Sequence, residues 1–289
     1  MKRCPSCQTT HDSQEWHCPA CGFIPRRAAG FPALAPELAE EGEGFRPEAY
    51  AALADLEADS FWFRARNSLV LWGLRQHFPD IERYLEVGCG TGYVLAEVAG
   101  AYPQARVTGT EIFSAGLPFA ARRLPAAELL QMDARRIPYV EEFDVIGAFD
   151  VLGHIQEDES VLAEMSRVLR PGGGIILTVP QHPWLWSRPD EYACHVRRYR
   201  RGELQTKLRR AGFLLLLQTS FVTLLLPAMV ASRIAQRGAP VNGDSMSELR
   251  LPHAMNRVFE GVMALERAMI RLGVRFPAGG SLLLVARKA

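Results

Sequence analysis

The sequence has almost no net charge, because its 33 lysines and arginines are balanced by 32 aspartates and glutamates, giving a formal charge of +1 over 289 residues. Such a balance produces no long-range field that would attract a polyanion. A nucleic-acid ligand would need a local basic patch, and basic residues cluster only briefly, at residues 197–201 and 207–210. Nucleic acid is therefore not the expected partner.

The N-terminus, MKRCPSCQTT, lacks the apolar run that follows the basic residues of a secretory signal peptide. The cysteines are also not spread along the chain as in the disulfide framework of a secreted domain, because four of the six lie within the first 21 residues. Both observations lead us to expect a cytoplasmic protein.

No apolar stretch is both long and continuous enough to indicate a membrane span, which requires ~20 mostly apolar residues. Residues 211–232 contain no charged side chain, but Gln218, Thr219 and Ser220 interrupt them. We predict a buried strand here, followed by an apolar helix at residues 221–237. The alternative is peripheral contact of this helix with a membrane surface.

Two C-x-x-C pairs stand near the N-terminus, Cys4-Pro5-Ser6-Cys7 and Cys18-Pro19-Ala20-Cys21. Two such pairs can provide the four thiolates of a tetrahedral Zn²⁺ site, whereas a redox dithiol needs only one pair. The sequence predicts a zinc-ribbon-like module over residues 1–24, with structural Zn²⁺ bound by Cys4, Cys7, Cys18 and Cys21. Whether this module grips nucleic acid, binds a partner protein or braces the rest of the chain stays open.

The rest of the chain is predicted to be a linker followed by one domain. Residues 25–47 are rich in proline, glycine, alanine and glutamate, a composition typical of a linker. In residues 48–289, strand-like and helical patterns alternate, which predicts an α/β fold with a Rossmann-like, doubly wound sheet. A helical insertion is expected between the last two strands, at about residues 219–280.

A strand pattern at residues 83–87 runs into the glycine-rich sequence Gly88-Cys89-Gly90-Thr91-Gly92. Loops of this kind bring the backbone close to a nucleoside cofactor. The spacing is G-x-G-x-G rather than the G-x-G-x-x-G of dinucleotide sites, and Glu86 precedes the loop. A carboxylate there would repel a pyrophosphate but would suit a cofactor that carries an ammonium and a sulfonium group. The alternative is a plain strand–helix turn that needs glycine at positive φ.

Acidic residues close the next three predicted strands, at Glu111, Asp133 and Asp150. Open α/β sheets bind ligands at this carboxyl edge. Glu111 is placed to accept hydrogen bonds from both hydroxyls of a ribose. Asp133 is placed to accept a hydrogen bond from the amino group of an adenine. The predicted cofactor-binding residues are Glu86, Gly88, Cys89, Gly90, Gly92, Glu111, Ile112, Asp133, Ala134 and Asp150.

Five segments, LEVGCGTGYV, TGTEI, QMDARRIPY, FDVIGAFDVLGHI and VLRPGGGIILTVP, together resemble the successive motifs of class I S-adenosylmethionine-dependent methyltransferases. The resemblance implies a seven-stranded sheet whose last strand is antiparallel, with S-adenosyl-L-methionine as the cofactor. It also implies that Glu86 and residues 88–92 face the methionine moiety, Glu111 the ribose and Asp133 the adenine. Residues 61–67 resemble the aromatic helix that covers the methionine end in related enzymes.

The acceptor site is expected beside the fourth and fifth strand ends. Many members of the resembled family have glutamate at the position of Gly153, which leaves His154 as the titratable neighbour here. Residues 180–199 are dense in His, Trp, Tyr and Arg, and loops at this edge commonly build binding sites. His195, His182 and His154 are the candidate general bases, because imidazole titrates near neutral pH. The alternative is that this segment only packs a lid and pairs its arginines with its own carboxylates.

These patterns predict a methyltransferase that acts on a small, largely apolar molecule at an O or N atom. A lipid or quinone acceptor would use the apolar insertion. A second hypothesis is an RNA methyltransferase that binds through the zinc module, although the net charge and the lack of an Asn-Pro-Pro-Tyr type of motif disfavour it. A third is a cofactor-binding scaffold without catalysis.

Overall fold

Eleven strands and nine α-helices lie in the described part of the chain, which comprises residues 1–13, 15–40, 46, 48–236 and 251–289 of this computed structural model. In chain order they are β1 (Lys2–Arg3), β2 (Thr10–His11), β3 (Arg26–Ala28), β4 (Phe31–Ala33), α1 (Ala49–Glu57), α2 (Phe61–His77), β5 (Arg83–Val87), α3 (Tyr93–Ala101), β6 (Arg106–Glu111), α4 (Leu117–Arg123), β7 (Glu128–Gln131), β8 (Phe143–Phe149), α5 (Asp158–Val168), β9 (Leu169–Pro180), α6 (Arg188–Tyr192), α7 (Glu203–Arg210), β10 (Phe213–Phe221), α8 (Leu226–Gln236), α9 (His253–Arg271) and β11 (Ser281–Lys288).

The large sheet has the strand order β10-β11-β9-β8-β5-β6-β7-β4-β3. Strands β5 to β9 pair in parallel, and β11 runs antiparallel to both of its neighbours, β9 and β10. Parallel strands of this kind have both faces covered by helices, which explains their continuous apolar runs. The predicted Rossmann-like α/β fold with an antiparallel last strand is confirmed.

The sheet has nine strands, so the prediction of seven is wrong. Seven come from residues 83–288, and the extra two are the hairpin β3–β4, within the predicted linker. Ala33 of this hairpin pairs in parallel with Gln131 of β7 and covers the edge that seven strands would leave open. Each added strand has three residues, which is too short for an alternating pattern to be read from the sequence. Residues 41–45 and 47 of the predicted linker lie outside the described part.

The side chain of Gln131 fixes the segment that follows β4. Its amide oxygen accepts a hydrogen bond from the Ala35 nitrogen at 3.1 Å, and its amide nitrogen donates to the Ala35 oxygen at 2.8 Å. The same nitrogen also donates to the Ile112 oxygen at 2.9 Å. Further on, the Ser114 nitrogen donates to the Ala39 oxygen at 2.9 Å. The segment after β4 is therefore bonded to the loop after β6.

Apolar layers cover both faces of the sheet, and successive strand residues alternate between them. In β11, Leu283 and Val285 face the layer that contains helices α2, α3 and α9, whereas Leu282 and Leu284 face the layer of α5 and α7. Trp16, from the cysteine-rich segment, belongs to the second layer and is 9% exposed. The N-terminal segment is thus packed into the same core as the sheet.

The predicted apolar stretch divides between two elements. The predicted buried strand is β10, which ends at Phe221, and the helix that follows is α8, while residue 237 lies outside the described part. Among the described residues, no helix is long and apolar enough to cross a membrane. Peripheral membrane contact through residues 221–237 stays a prediction.

Candidate active site

A cavity of about 940 Å³ opens at the carboxyl ends of the parallel strands. Ligand sites commonly measure ~300–1,000 Å³, so this cavity has room for a cofactor and a second molecule. It is lined by nine of the ten predicted cofactor residues: Glu86, Gly88, Cys89, Gly90, Glu111, Ile112, Asp133, Ala134 and Asp150. His154 and His195 also line it, whereas Gly92 and His182 are not among its lining residues.

Gly92, the last residue of the glycine loop, packs against helix α4. Its φ is 75°, and a Cβ atom at this position would lie 2.8 Å from the Cα of Ala120 in α4. A larger residue would be strained by its backbone and by this contact. Gly92 therefore permits the close approach of α3 and α4, which is a packing role rather than a contact with the cavity.

Glu111 is held at the cavity wall by backbone donors. Its carboxylate accepts hydrogen bonds from the Gly90 nitrogen at 2.9 Å and the Ile112 nitrogen at 2.8 Å. Burial raises the pKa of Glu111, while these backbone N–H groups act in the opposite direction. Tyr50 of α1, which the sequence did not single out, also lines the cavity and hydrogen-bonds Glu111.

Glu86 is buried at the base of the cavity and is 2% exposed. Burial raises its pKa to about 8, although the nearby positive charge of Arg66 lowers it. It accepts a hydrogen bond from the Tyr84 hydroxyl at 3.4 Å and forms no ion pair within the described residues. A cationic group bound beside Glu86 would favour its ionised form. The site therefore fits a cofactor that brings a positive charge.

Asp133 and Asp150 each pair with an arginine at the rim. The Asp133 carboxylate accepts a hydrogen bond from the Arg135 Nε at 3.0 Å, and the Asp150 carboxylate accepts one from the Arg66 Nη1 at 2.8 Å. The Arg66 guanidinium also lies 4.7 Å from the ring centre of Trp62, a cation–π contact. The aromatic start of α2 thus closes one side of the cavity.

His195 forms a pair with a buried carboxylate. Its Nδ1 lies 3.0 Å from the Asp190 Oδ1, and Asp190 is 1% exposed. Burial raises the pKa of Asp190, but the hydrogen bond from His195 and the charges of Arg198 and Arg233 lower it further, below its ordinary value. The carboxylate fixes the ring and leaves its Nε2 as the nitrogen that is not committed to Asp190.

His154 lies beside His195, with 4.5 Å between the ring centres. Burial, and then the charge of His195, lower the pKa of His154 to about 4. His182 lies apart from this pair, against the exposed Trp184 at 5.4 Å, and burial lowers its pKa as well. The structure thus brings two of the three predicted histidines together at the cavity.

Two arginines also contact the carboxylate of Asp190. Arg198 donates from Nε at 2.7 Å, and the Arg233 Nη1 lies 3.5 Å from the other carboxylate oxygen. The expected pairing of Arg198 with a nearby acid is therefore present, whereas Arg197 pairs with Asp158 at 2.8 Å. Sequence reasoning missed Arg233, because this residue lies in α8, far along the chain from Asp190.

One end of the cavity is walled by apolar side chains from the insertion and from α2. These residues are Phe61, Trp62, Val222, Leu225, Ala228, Met229, Leu251, Met255 and Phe259. The predicted apolar insertion thus contributes its apolar side chains to the cavity wall, while its residues 237–250 lie outside the described part.

The four N-terminal cysteines converge on one another and are not among the residues that line the cavity. Their sulfur atoms all lie within 4.8 Å of one another, with 3.7 Å separating Cys4 from Cys21 and Cys7 from Cys18. A tetrahedral zinc site with Zn–S bonds of ~2.3 Å has sulfur–sulfur edges of about 3.8 Å. The geometry therefore fits a tetrathiolate metal site.

The two cysteine pairs share one backbone pattern. The Cys4 oxygen accepts from the Gln8 nitrogen and the Cys18 oxygen from the Gly22 nitrogen, both at 2.9 Å. Gln8 and Gly22 both have positive φ, 64° and 73°. The repetition indicates two equivalent knuckles, as the spacing predicted.

Comparison with known proteins identifies the class of domain. Residues 85–177 match the family model described as "Methyltransferase domain". The chain is 33% identical over 159 residues to O-methyltransferase cnsE of Penicillium expansum, covering 49% of this chain and 55% of that protein. It is 28% identical over 203 residues to malonyl-[acyl-carrier protein] O-methyltransferase of Methylococcus capsulatus, covering 66% and 71%. The chain spans about half the length of curated relatives such as the first of these.

A solved complex of the Haloferax volcanii Trm112 methyltransferase activator with a putative methyltransferase gives a TM-score of 0.55 at 18% identity, over 83% of this chain and 95% of that one. This likeness shows the fold. Together, the fold and the matched domain confirm the predicted resemblance to class I S-adenosylmethionine-dependent methyltransferases. Residues 85–177 are thus similar to a methyltransferase domain, within a chain that has the Rossmann-like fold.

Proposed function

We propose that the protein transfers a methyl group from S-adenosylmethionine to an oxygen or nitrogen atom of a small, largely apolar acceptor. The observation that carries this proposal is a cavity in which acidic strand ends and an apolar compartment adjoin. The cofactor, when bound, supplies a methyl group on a positively charged sulfur. The O-methyltransferase names of the two relatives favour oxygen as the acceptor atom.

The cofactor half of the site consists of carboxylates with different tasks. Glu111 would accept hydrogen bonds from the ribose hydroxyls, and Asp133 would accept one from the adenine amino group. Glu86, buried and without an ion-pair partner among the described residues, would hold the amino group of the methionine moiety. Gly88 and Gly90 keep the backbone free of side chains where it approaches the cofactor.

The acceptor half orients the reacting group. The apolar wall excludes water, and most of the rate would come from holding the acceptor in line with the methyl group. His195, fixed by Asp190, would remove the proton of an acceptor hydroxyl or amine where the acceptor has one. His154 and His182 stay further candidates for this role.

We also propose that the four N-terminal cysteines bind a structural Zn²⁺. A segment this short has little core of its own, so the metal would supply its folding energy. The module would then brace strand β7 and the loop after it, where the Trp16 Nε1 donates to Glu128 at 3.1 Å and the Arg3 backbone nitrogen donates to the Pro138 oxygen at 2.9 Å.

Calorimetry with purified protein tests the cofactor assignment. We expect S-adenosylmethionine to bind in the micromolar range, about 8 kcal/mol. Glu111→Ala should weaken binding by roughly 1.5–3 kcal/mol through lost bonds to a charged group, and Glu159→Ala, an exposed change on α5, should not. A wild-type protein that binds NAD in preference would contradict the proposal.

A further inference from the structure

The apolar end of the cavity contains a cluster with more buried cations than anions. The side chains of Arg198 and Arg233 are 5% and 10% exposed, and both face Asp190, whose side chain is 1% exposed. Two guanidinium groups thus share one carboxylate. The cluster carries a net positive charge whichever protonation state His195 adopts. A buried net charge is costly unless a counter-charge joins it.

Of the arginines that line the cavity in the described part of the chain, three are well paired. Arg66 bonds Asp150 at 2.8 Å, Arg135 bonds Asp133 at 3.0 Å, and Arg198 bonds Asp190 at 2.7 Å. Arg233 has weaker partners, since its Nη1 donates to the Leu185 oxygen and lies 3.5 Å from Asp190. Its Nε is buried and has no partner among the described residues. Arg233 therefore shares its only carboxylate partner among the described residues with Arg198, and it keeps a buried N–H group that could bind a further anion.

The surroundings of Arg233 restrict the kind of anion that would fit. Met229 and Leu225 lie on the same helix or just before it, and both line the cavity with Phe259. A hydrophilic anion such as phosphate would be poorly matched to these walls. An anionic head group attached to an apolar skeleton satisfies both the guanidinium and the walls.

The cluster adjoins the end of β8, where the acceptor atom is expected. The ring of His195 packs against Gly153, since a Cβ there would lie 3.4 Å from the His195 Cδ2. Gly153 follows Asp150 closely, at the carboxyl edge of the sheet. An anion held by Arg233 and His195 would thus lie at the reacting end of the acceptor.

We propose that the acceptor is an apolar carboxylic acid, that Arg233 binds its carboxylate, and that a carboxylate oxygen receives the methyl group. This inference rests on the proposed function and narrows its substrate class. The oxygen lone pair forms the O–CH₃ bond while the methyl–sulfur bond breaks, and the electrons of that bond go to sulfur. No proton moves, because the acid is already ionised at neutral pH. The carboxylate and the sulfonium both become neutral.

This chemistry gives Arg233 a second effect. The methyl ester has no charge, so it loses the attraction that held the acid. The same residue that selects the substrate thereby favours release of the product.

The test is calorimetric titration of the full-length protein, loaded with S-adenosylhomocysteine, with octanoate, dodecanoate and 3-phenylpropanoate. The alcohols of the same carbon skeletons serve as uncharged controls. Methyl transfer from S-adenosylmethionine to each compound is followed by mass spectrometry, which separates a methyl ester from a methyl ether. We expect at least one acid to bind and to give the ester, and its matching alcohol to do neither.

Arg233→Gln removes the charge and keeps a shorter, polar side chain that can still donate a hydrogen bond. It should raise the KM for the acid by about 10- to 100-fold, as expected for a lost charge-assisted hydrogen bond, and leave the affinity for S-adenosylmethionine unchanged. Arg233→Lys keeps the charge without the planar fork and should give a smaller rise. Arg209→Gln, an exposed change on α7, is the matched control.

Unchanged cofactor affinity in Arg233→Gln also reports that the variant is folded. Equal KM values for the acid in Arg233→Gln and Arg209→Gln, or no binding of any acid, would overturn the inference and leave the proposed function standing. Formation of a methyl ether from any of the alcohols would also overturn the inference and leave the proposed function standing. Arg233-dependent acid binding without an ester would overturn the carboxylate oxygen as the acceptor atom. Failure of wild type to bind S-adenosylmethionine would overturn the proposed function itself.

Discussion

Asp190 organises the acceptor end of the cavity although it is almost wholly buried. It orients His195 through Nδ1, fixes Arg198 and lies near Arg233, and its second oxygen accepts a hydrogen bond from the Ser187 nitrogen at 3.0 Å. A buried carboxylate with this many donors is stable only as the anion, which agrees with its lowered pKa. One residue thus sets the positions of the groups that would meet the acceptor.

At the scale of the residue, a variant of His195 distinguishes methylation of an ionised acid from methylation of a group that must first lose a proton. If the acceptor is an ionised acid, no proton leaves it, and His195→Gln should lower kcat on the acid by less than about 10-fold, whereas loss of a general base costs ~10²–10⁴-fold. The measurement is kcat from pH 5 to pH 9, with His253→Gln, an exposed change at the start of α9, as the control. A loss of 10²-fold or more would assign His195 as the base and argue against an acid acceptor.

Glu86 gives a pH-dependent contribution to stability. Its folded pKa of about 8 lies above the ordinary value of 4.5, because burial disfavours the charged form. The folded state therefore holds a proton that the unfolded state releases, so this contribution is lost as pH rises from about 4.5 to 8. The slope is at most about 1.4 kcal/mol per pH unit.

Urea unfolding at pH 5, 6, 7 and 8 without cofactor measures this effect. Glu86→Gln, which mimics the protonated form, should flatten the fall in unfolding free energy between pH 5 and pH 8. Saturating S-adenosylmethionine should flatten it in wild type, because a bound cation stabilises the carboxylate. Parallel curves for wild type and Glu86→Gln would exclude the titration of this residue.

At the scale of elements, Gln131 ties the hairpin β3–β4 and the segment after it to the loop that follows β6. Gln131→Leu removes bonds to both backbone groups of Ala35 and to the Ile112 oxygen. Unsatisfied buried groups cost ~1–3 kcal/mol, so we expect a loss of unfolding free energy of that size. We also expect weaker cofactor binding, since Ile112 lines the cavity. Gln205→Leu on α7 is the control; equal stability of the two variants would contradict the prediction.

The sequence predicted those elements whose pattern is local. The antiparallel last strand was implied by the resemblance to class I methyltransferases. The convergence of Glu86, Glu111 and Asp150 on one cavity could be expected because the carboxyl ends of parallel strands meet at one edge. The hairpin β3–β4 could not, because strands of three residues have no readable period. Arg233 could not be paired with Asp190 in advance, because only the return of the insertion over the sheet brings α8 to α6.

At the scale of the whole molecule, we propose that the cysteine module braces the fold, so its loss should lower the stability of the protein. We expect about one zinc per chain by elemental analysis. Cys21→Ser should release it and free Trp16 from the core, lowering the thermal midpoint by roughly 4–10 °C for about 1.5–3 kcal/mol of lost burial. S-adenosylmethionine should still bind, because the cavity is lined by residues 38 to 281.

Cys194→Ser is the matched control, since Cys194 lies far from the four clustered sulfur atoms. It should retain the metal and the thermal midpoint of wild type. A metal-free wild type with a Cys4–Cys7 disulfide would rule out the zinc assignment.

The ends of the insertion meet at the sheet. The Gly280 nitrogen donates to the Val222 oxygen at 3.4 Å, where β10 ends and β11 begins. The chain therefore leaves and re-enters the fold at one point, and between these points it contributes most of the apolar wall and Arg233. We expect that such a segment can be exchanged as a unit when its replacement also supplies the layer that α9 forms over the sheet. Grafting a different insertion between residues 222 and 280 would redirect acceptor choice while the glycine loop and the acidic strand ends stay in place, a route open to evolution by recombination and to the engineer alike.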